Sequence, residues 1–240
     1  MDLSKLVTIV IPCKNEKDII LKTLDLLNHQ VDIKNVKVIV CDASNDGITK
    51  PDLLGRLEYE HRTDMFDLYI MEGGLPAKAR NNGSKHVKTP YVLFLDSDMF
   101  LLDPTIITTI IKIMLDQDID LLTTKIRTTN GKYNYVFKTF DFIQKMSKFI
   151  SPFCLGGFML FKTNTFNELG GFDEETKVAE DYLLSKQIKP NRFKIINTTV
   201  FTPPRRFENK GVLYMMRLLV RSFLNRNNKQ FFKDDNTYWK

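Results

Sequence analysis

Val7-Thr8-Ile9-Val10-Ile11-Pro12 is the stretch from which the fold is read. A run of β-branched residues stopped by proline spells a short strand buried on both faces. From Asn15 the period changes: Ile20, Leu24 and Leu27 recur at helical spacing, and Asn15 is placed to cap that helix. A second strand, Val36 to Cys41, stops at the turn formers Asp42-Ala43-Ser44-Asn45-Asp46-Gly47. Strand, helix, strand, loop is a βαβ unit, which predicts a parallel sheet with ligands at the carboxyl ends of its strands.

The alternation continues outward. Leu68 to Met71 reads as a weaker strand, Ala77 to Val87 as a helix and Tyr91 to Leu95 as a strongly apolar strand. Pro104 suits the first turn of a helix whose apolar face is Ile106, Ile110, Ile113 and Met114. Leu121 to Thr124 is another strand, Tyr135 to Ile150 an aromatic-rich helix, and Gly156 to Phe161 a strand entered from a glycine turn. Short helices are expected before Gly170 and from Glu180. The fold class is α/β, with a mostly parallel sheet flanked by helices. One domain over residues 1–205 is expected, followed over 206–240 by a basic amphipathic helical extension.

Composition bounds the function only loosely. The chain has 240 residues with a formal net charge of +6, which favours anionic partners without choosing among them. Cys13, Cys41 and Cys154 form no Cys-x-x-Cys pair and read as buried reduced thiols; His29, His61 and His86 lack zinc-site spacing. The N-terminus lacks the apolar stretch of a signal peptide, and no window reaches membrane-spanning length. A cytoplasmic protein is expected, with contact at a membrane surface left open.

Several residues could carry chemistry. Asp96 and Asp98 follow a buried strand directly, and alternate residues of an extended chain point to one side. Two carboxylates there suit Mg²⁺ or Mn²⁺, which take one or two carboxylates plus phosphate oxygens. A polar turn is the plainer alternative. Asp42 ends the second strand, where an acid commonly accepts hydrogen bonds from a nucleotide; it is equally an Asx-turn residue. Pro12 and Glu16 flank the start of the first helix, where backbone amides either face a ligand or are simply capped. Lys78 and Arg80 could neutralise a diphosphate or lie on a solvated helix face. Glu180-Asp181 is either a helix cap or a general base.

Together these segments resemble glycosyltransferase family 2, the inverting enzymes with a GT-A fold. The matches run in order: Val7 to Glu16, Val38 to Asp42 with Ser44, Asp46 and Gly47, Ala79 to Gly83, Phe94 to Asp98, Gly156 to Phe161, Gly170 to Asp173, and Glu180-Asp181. The resemblance implies transfer of a sugar from a nucleoside-diphosphate sugar, with uridine favoured, to a hydroxyl of a glycan or lipid carrier. It implies that Asp42 holds the base, with Pro12 and Glu16 beside it. Asp96, next to Ser97, meets the ribose or the metal, and Asp98 ligates Mn²⁺ or Mg²⁺ at the diphosphate. Asp181 is the general base, and Gly157 lines the acceptor side, where Glu180 is also placed. Arg205 and Arg206 are surface charges or contacts to phosphate on the donor or acceptor.

The pattern departs from the family in places. The loop after Asp42 is one residue short, which puts Ser44 and Asp46 in doubt as ligands. The Gln-x-x-Arg-Trp motif of processive members is replaced by Pro203-Pro204-Arg205-Arg206-Phe207, so a small non-processive enzyme is expected. The alternatives are a nucleotidyltransferase, whose glycine-rich basic loop is missing here, and a nucleotide-binding module without activity. No nucleic-acid recognition motif is present. From Gly211 to Leu224, Arg217 and Arg221 share a face of an apolar helix. Packing on its own domain is favoured for that helix over peripheral membrane contact. Phe231, Phe232, Tyr238 and Trp239 leave membrane and oligomer contacts open.

Overall fold

A computed structural model describes residues 1–60 and 65–233. His61, Tyr238 and Trp239 lie outside the described residues. Seven strands form one sheet: β1 (Val7–Cys13), β2 (Lys37–Asp42), β3 (Asp67–Glu72), β4 (Tyr91–Leu95), β5 (Leu121–Thr128), β6 (Phe158–Lys162) and β7 (Phe193–Thr202). The helices are α1 (Lys17–Asn28), α2 (Thr49–Glu60), α3 (Pro76–Ser84), α4 (Ile106–Asp116), α5 (Asn134–Ser147), α6 (Thr163–Glu168), α7 (Glu180–Ser185), α8 (Arg205–Lys210), α9 (Val212–Leu224) and α10 (Lys229–Lys233).

The sheet order is β3-β2-β1-β4-β6-β5-β7. Pairings β1/β2, β1/β4, β2/β3 and β5/β7 are parallel, while β6 runs against both β4 and β5. That reversal matters for function. It brings the start of β6 to the carboxyl end of β4, where Leu95 pairs with Phe158.

Burial on both faces explains the unbroken apolar runs. Along β1, Val7, Ile9 and Ile11 enter one core cluster while Val10 enters the other; β4 divides Leu93 and Leu95 from Val92 and Phe94 in the same way. Phe94 stacks edge-on or tilted against Phe161, Phe166 and Phe172. α3 lies close on the sheet because Gly83 has no side chain: a Cβ there would meet Val10 Cγ1 at 2.4 Å and Cys41 Sγ at 3.1 Å. Gly83→Ala should therefore destabilise the fold by about 1–3 kcal/mol through overpacking, read as a lower urea midpoint at an unchanged slope.

Some local expectations are corrected. Asn15 does not cap α1. It sits at φ 55°, and Glu16 is the residue before the helix, without a side-chain cap bond. The N–H of Lys17 is met from outside by Thr49 Oγ1 at 2.8 Å. α4 begins two residues after Pro104, whose carbonyl accepts the N–H of Val31. α5 ends at Ser147, whose hydroxyl accepts the N–H of Phe153 and so turns the chain before Ile150. α2 and β7 are additional to the elements read from sequence; the apolar signal of each is interrupted by polar residues.

After β7 the chain turns back over the sheet's carboxyl edge. Phe207 of α8 is buried against Tyr133 and Phe137. α10 is tied to the 173–177 loop: Lys177 N–H donates to Phe232 O, Lys233 pairs with Glu175, and the Phe232 ring is buried. The three cysteines are buried and free. Among the described residues no helix is long and apolar enough to cross a membrane.

Candidate active site

The turn after β4, the start of β6, and the first residues of α7 and α8 bring together Arg80, Asp96, Asp98, Glu180, Asp181 and Arg205, with Glu16 tied to Arg205 and Asp42 outside the shared cavity. Asp96 and Asp98 lie in the turn after β4. The turn is fixed at three points: Asp96 N–H donates to Gly157 O, Met99 N–H donates to Asp96 O, and Thr23 Oγ1 of α1 donates to Ser97 O at 2.6 Å. Ser97 is thus held by its backbone.

Arg80 is the hub. It projects from α3, is almost wholly buried, and donates from one terminal nitrogen to Asp96 at 2.6 Å and from the other to Glu180 at 2.7 Å. Its guanidinium also lies over the Phe172 ring, 5.3 Å from the centroid. The expectation that Arg80 neutralises a diphosphate meets a different geometry, in which its charge is spent on two carboxylates. Lys78, on the same helix, is exposed, and its stem lies against Gly74.

Asp181 sits beside this hub. Its carboxylate accepts the N–H of Gly156 at 2.6 Å and of Tyr182 at 2.7 Å. Burial, and then the neighbouring Glu180 charge, push its pKa up to about 7. Gly156 permits the approach, because a Cβ there would lie 3.0 Å from Asp181 Oδ2 and 3.3 Å from an Arg80 nitrogen. Sequence reasoning assigned no role to Gly156 and named its neighbour instead; Gly157 gives its carbonyl to Asp96 and packs on Met99. The glycine pair was the available signal, but which glycine faces the acid depends on the reversed strand.

On the other flank, Arg205 bridges Glu16 at 2.9 Å and Asp98 at 3.1 Å. Burial raises the pKa of both acids; Arg205 acts against that rise at each, and Arg206 adds a second positive charge near Asp98. Asp42 is buried at the end of β2, and its Oδ1 accepts both the N–H and the hydroxyl of Ser44. That is an Asx turn. Asp46 caps the N–H groups of Ile48 and Thr49, so both Ser44 and Asp46 are engaged within the loop. Pro12 pairs with Cys41 near the ends of β1 and β2, close to Asp42 in the register.

Asp96, Asp98, Glu180, Asp181 and Arg206 line one cavity of about 770 Å³. Its far walls are apolar and come from α5, the 149–155 segment and α9. The donor set at the acidic end suits a hard divalent cation. Asp98 offers carboxylate oxygens in a setting where burial disfavours their charge, and a cation there would offset that cost. Among the described residues no three His, Cys, Asp or Glu side chains are grouped to hold an ion alone. A cation at Asp98 would have to complete its shell with phosphate oxygens and water.

Comparison with known proteins agrees with this fold. The Pyrobaculum calidifontis mannosyltransferase PcManGT, solved with GDP-Man and Mn²⁺, superposes with a TM-score of 0.68 at 20% identity, over 90% of this chain and 64% of that one. S. aureus TarS 1-349 superposes with a TM-score of 0.62 at 21% identity, over 92% of this chain and 66% of that one. Its complex with UDP-GlcNAc gives 0.61 at 20% identity, over 82% and 58%. These likenesses show the GT-A fold. Among curated proteins, the poly(ribitol-phosphate) beta-glucosyltransferase of Bacillus spizizenii is 30% identical over 95 residues, which is 40% of this chain and 15% of that relative. The chain thus matches only a small part of that curated relative's length. The family profile described as Glycosyl transferase family 2 matches residues 8–170, more than half of the chain, and the chain belongs to that family.

Proposed function

We propose that this chain transfers a sugar, with inversion, from a nucleoside-diphosphate sugar to an acceptor hydroxyl, and that Asp181 is the general base. The observation that carries this reading is the convergence of Asp96, Asp98 and Asp181 on one cavity, with Asp181 poised near neutrality. A base whose pKa lies near the working pH is ionised often enough to act and basic enough to take a hydroxyl proton. The backbone N–H groups of Gly156 and Tyr182 hold its carboxylate in place. The acceptor oxygen, losing its proton to Asp181, would attack the anomeric carbon opposite the leaving diphosphate and invert it.

Asp98, with Asp96 beside it, would hold Mn²⁺ or Mg²⁺, which supplies positive charge to the departing nucleoside diphosphate. Asp42, Pro12 and Glu16 lie at the ends of β1 and β2 and at the start of α1, where a nucleotide's base and ribose would sit. Arg205 holds Glu16 and Asp98 together, and would order that end before the donor arrives. Uridine is the favoured base. The relatives support a nucleotide-sugar donor, since PcManGT was solved with GDP-Man and TarS with UDP-GlcNAc.

The test is a screen of uridine and guanosine diphosphate sugars with Mn²⁺ or Mg²⁺, reading released nucleoside diphosphate. Release is the expected outcome. Pyrophosphate made from a sugar phosphate and a nucleoside triphosphate would point to nucleotidyl transfer instead. Asp98→Asn should remove the metal dependence of nucleotide binding, read by calorimetry with and without Mn²⁺. Unchanged metal-dependent binding would contradict the role given to Asp98.

A further inference from the structure

The cavity that begins at Asp181 ends in an apolar groove that the chemistry above does not use. One wall carries Phe142 and Met146 of α5 with the turn after it; the other carries Val220, Phe223 and Leu224 of α9. The rims are unusually bare. Phe149 is 80% exposed, Ile150 86%, Phe223 58% and Leu224 70%. α9 does pack on its own domain, as the sequence suggested, with Val212, Met215, Met216 and Leu219 as its apolar contacts to the core. Its Leu213, Val220, Phe223 and Leu224 are left outside. Large exposed apolar side chains gathered at one place mark an interaction surface.

The segments that carry the exposed apolar rims are rich in positive charge. From Asn209 to Lys233 there are six lysines and arginines and no acid, and from Phe142 to Gly157 two lysines and no acid. Lys145, Arg217 and Arg221 are exposed on α5 and α9, the helices that form the groove. A second copy of the chain, docked symmetrically, would set this cationic surface against itself. An anionic bilayer accepts both features: the apolar side chains enter the headgroup boundary while arginine and lysine meet lipid phosphates.

We propose that Phe149, Ile150, Phe223 and Leu224, with Lys145, Arg217 and Arg221 around them, seat the chain on an anionic lipid bilayer. The groove then opens at the lipid surface and leads inward to Asp181. If the transfer reading holds, it admits an acceptor carried on a lipid; the docking itself does not depend on that reading.

Co-sedimentation with vesicles of phosphatidylcholine, with and without about a third of phosphatidylglycerol, tests this. The full chain should bind the anionic vesicles at least about tenfold more tightly than the neutral ones, and high salt should weaken that binding. F149S/I150S and R217E/R221E should each weaken it by about tenfold or more, with thermal midpoints and metal-dependent nucleotide binding unchanged. Equal affinity for both vesicle types, or variants that bind like the parent, would overturn the proposal. So would a dimer in sedimentation velocity that F149S/I150S disperses while vesicle binding is absent. Nucleoside diphosphate release is read separately. If it persists without vesicle binding, docking fails and transfer stands; if vesicles bind without release, transfer fails and docking stands.

Discussion

Asp181→Asn should lower kcat for sugar transfer by about 10² to 10⁴-fold while leaving donor binding within about twofold. The asymmetry follows from position. Asp181 lies beside Gly156 and Glu180, across the Arg80–Asp96 pair from the residues assigned to the nucleotide. An amide keeps one acceptor oxygen for Gly156 or Tyr182 but cannot take a proton. The wild type should also show a pH signature. A general base at Asp181 would have to be ionised to act, so on the proposed role kcat/KM should fall about tenfold per unit as pH drops below about 7. The linkage to stability has the opposite sense. The folded pKa is raised above the ordinary 3.8, so the native state holds the proton more tightly than the unfolded chain. Ionising Asp181 therefore works against folding: the penalty is absent below the ordinary value and complete above about pH 7. On the proposed role, readiness to accept a proton and fold stability pull apart at this residue.

Arg80→Met should cost the fold about 3–5 kcal/mol, the range for removing one partner of a buried ion pair. Methionine nearly fills the volume, so the loss is one of charge. Asp96 and Glu180 would keep their negative charges with the shared cation gone, close to Asp98 and Asp181. Urea unfolding read by circular dichroism checks this. Adding Glu180→Gln to Arg80→Met should restore part of the loss. If Arg80→Met unfolds at the wild-type midpoint, the hub is not holding the site together.

Much of this architecture is legible in the sequence, and the reasons are physical. β1 and β4 are buried on both faces, so they read as unbroken apolar runs, and the βαβ order predicts their parallel pairing. The acids at their ends stand out because charge directly after such a run has few structural uses. What escapes the sequence is contact between distant segments. Nothing local says that Arg80 will meet Glu180, one hundred residues later, rather than a ligand. The Arg205 bridge to Glu16 is equally remote. α1 shows the limit of local signals: Asn15 looks like a cap, yet Thr49 of another helix supplies the bond. The amphipathic pattern of α9 suggested a packed face, and it has one. Its second, exposed apolar side is visible only once α5 is in place beside it.

Asp96, Asp98 and Asp181 acting as one sugar-transfer centre is the central claim. The most direct test is nucleoside diphosphate release from the best donor sugar with Mn²⁺, followed against pH for the wild type and for Asp181→Asn. The expected result is metal-dependent release that rises with pH up to about 7 in the wild type and is reduced by about two or more orders of magnitude in the variant. Release that ignores pH across this range, or that proceeds in Asp181→Asn at the wild-type rate, would contradict it.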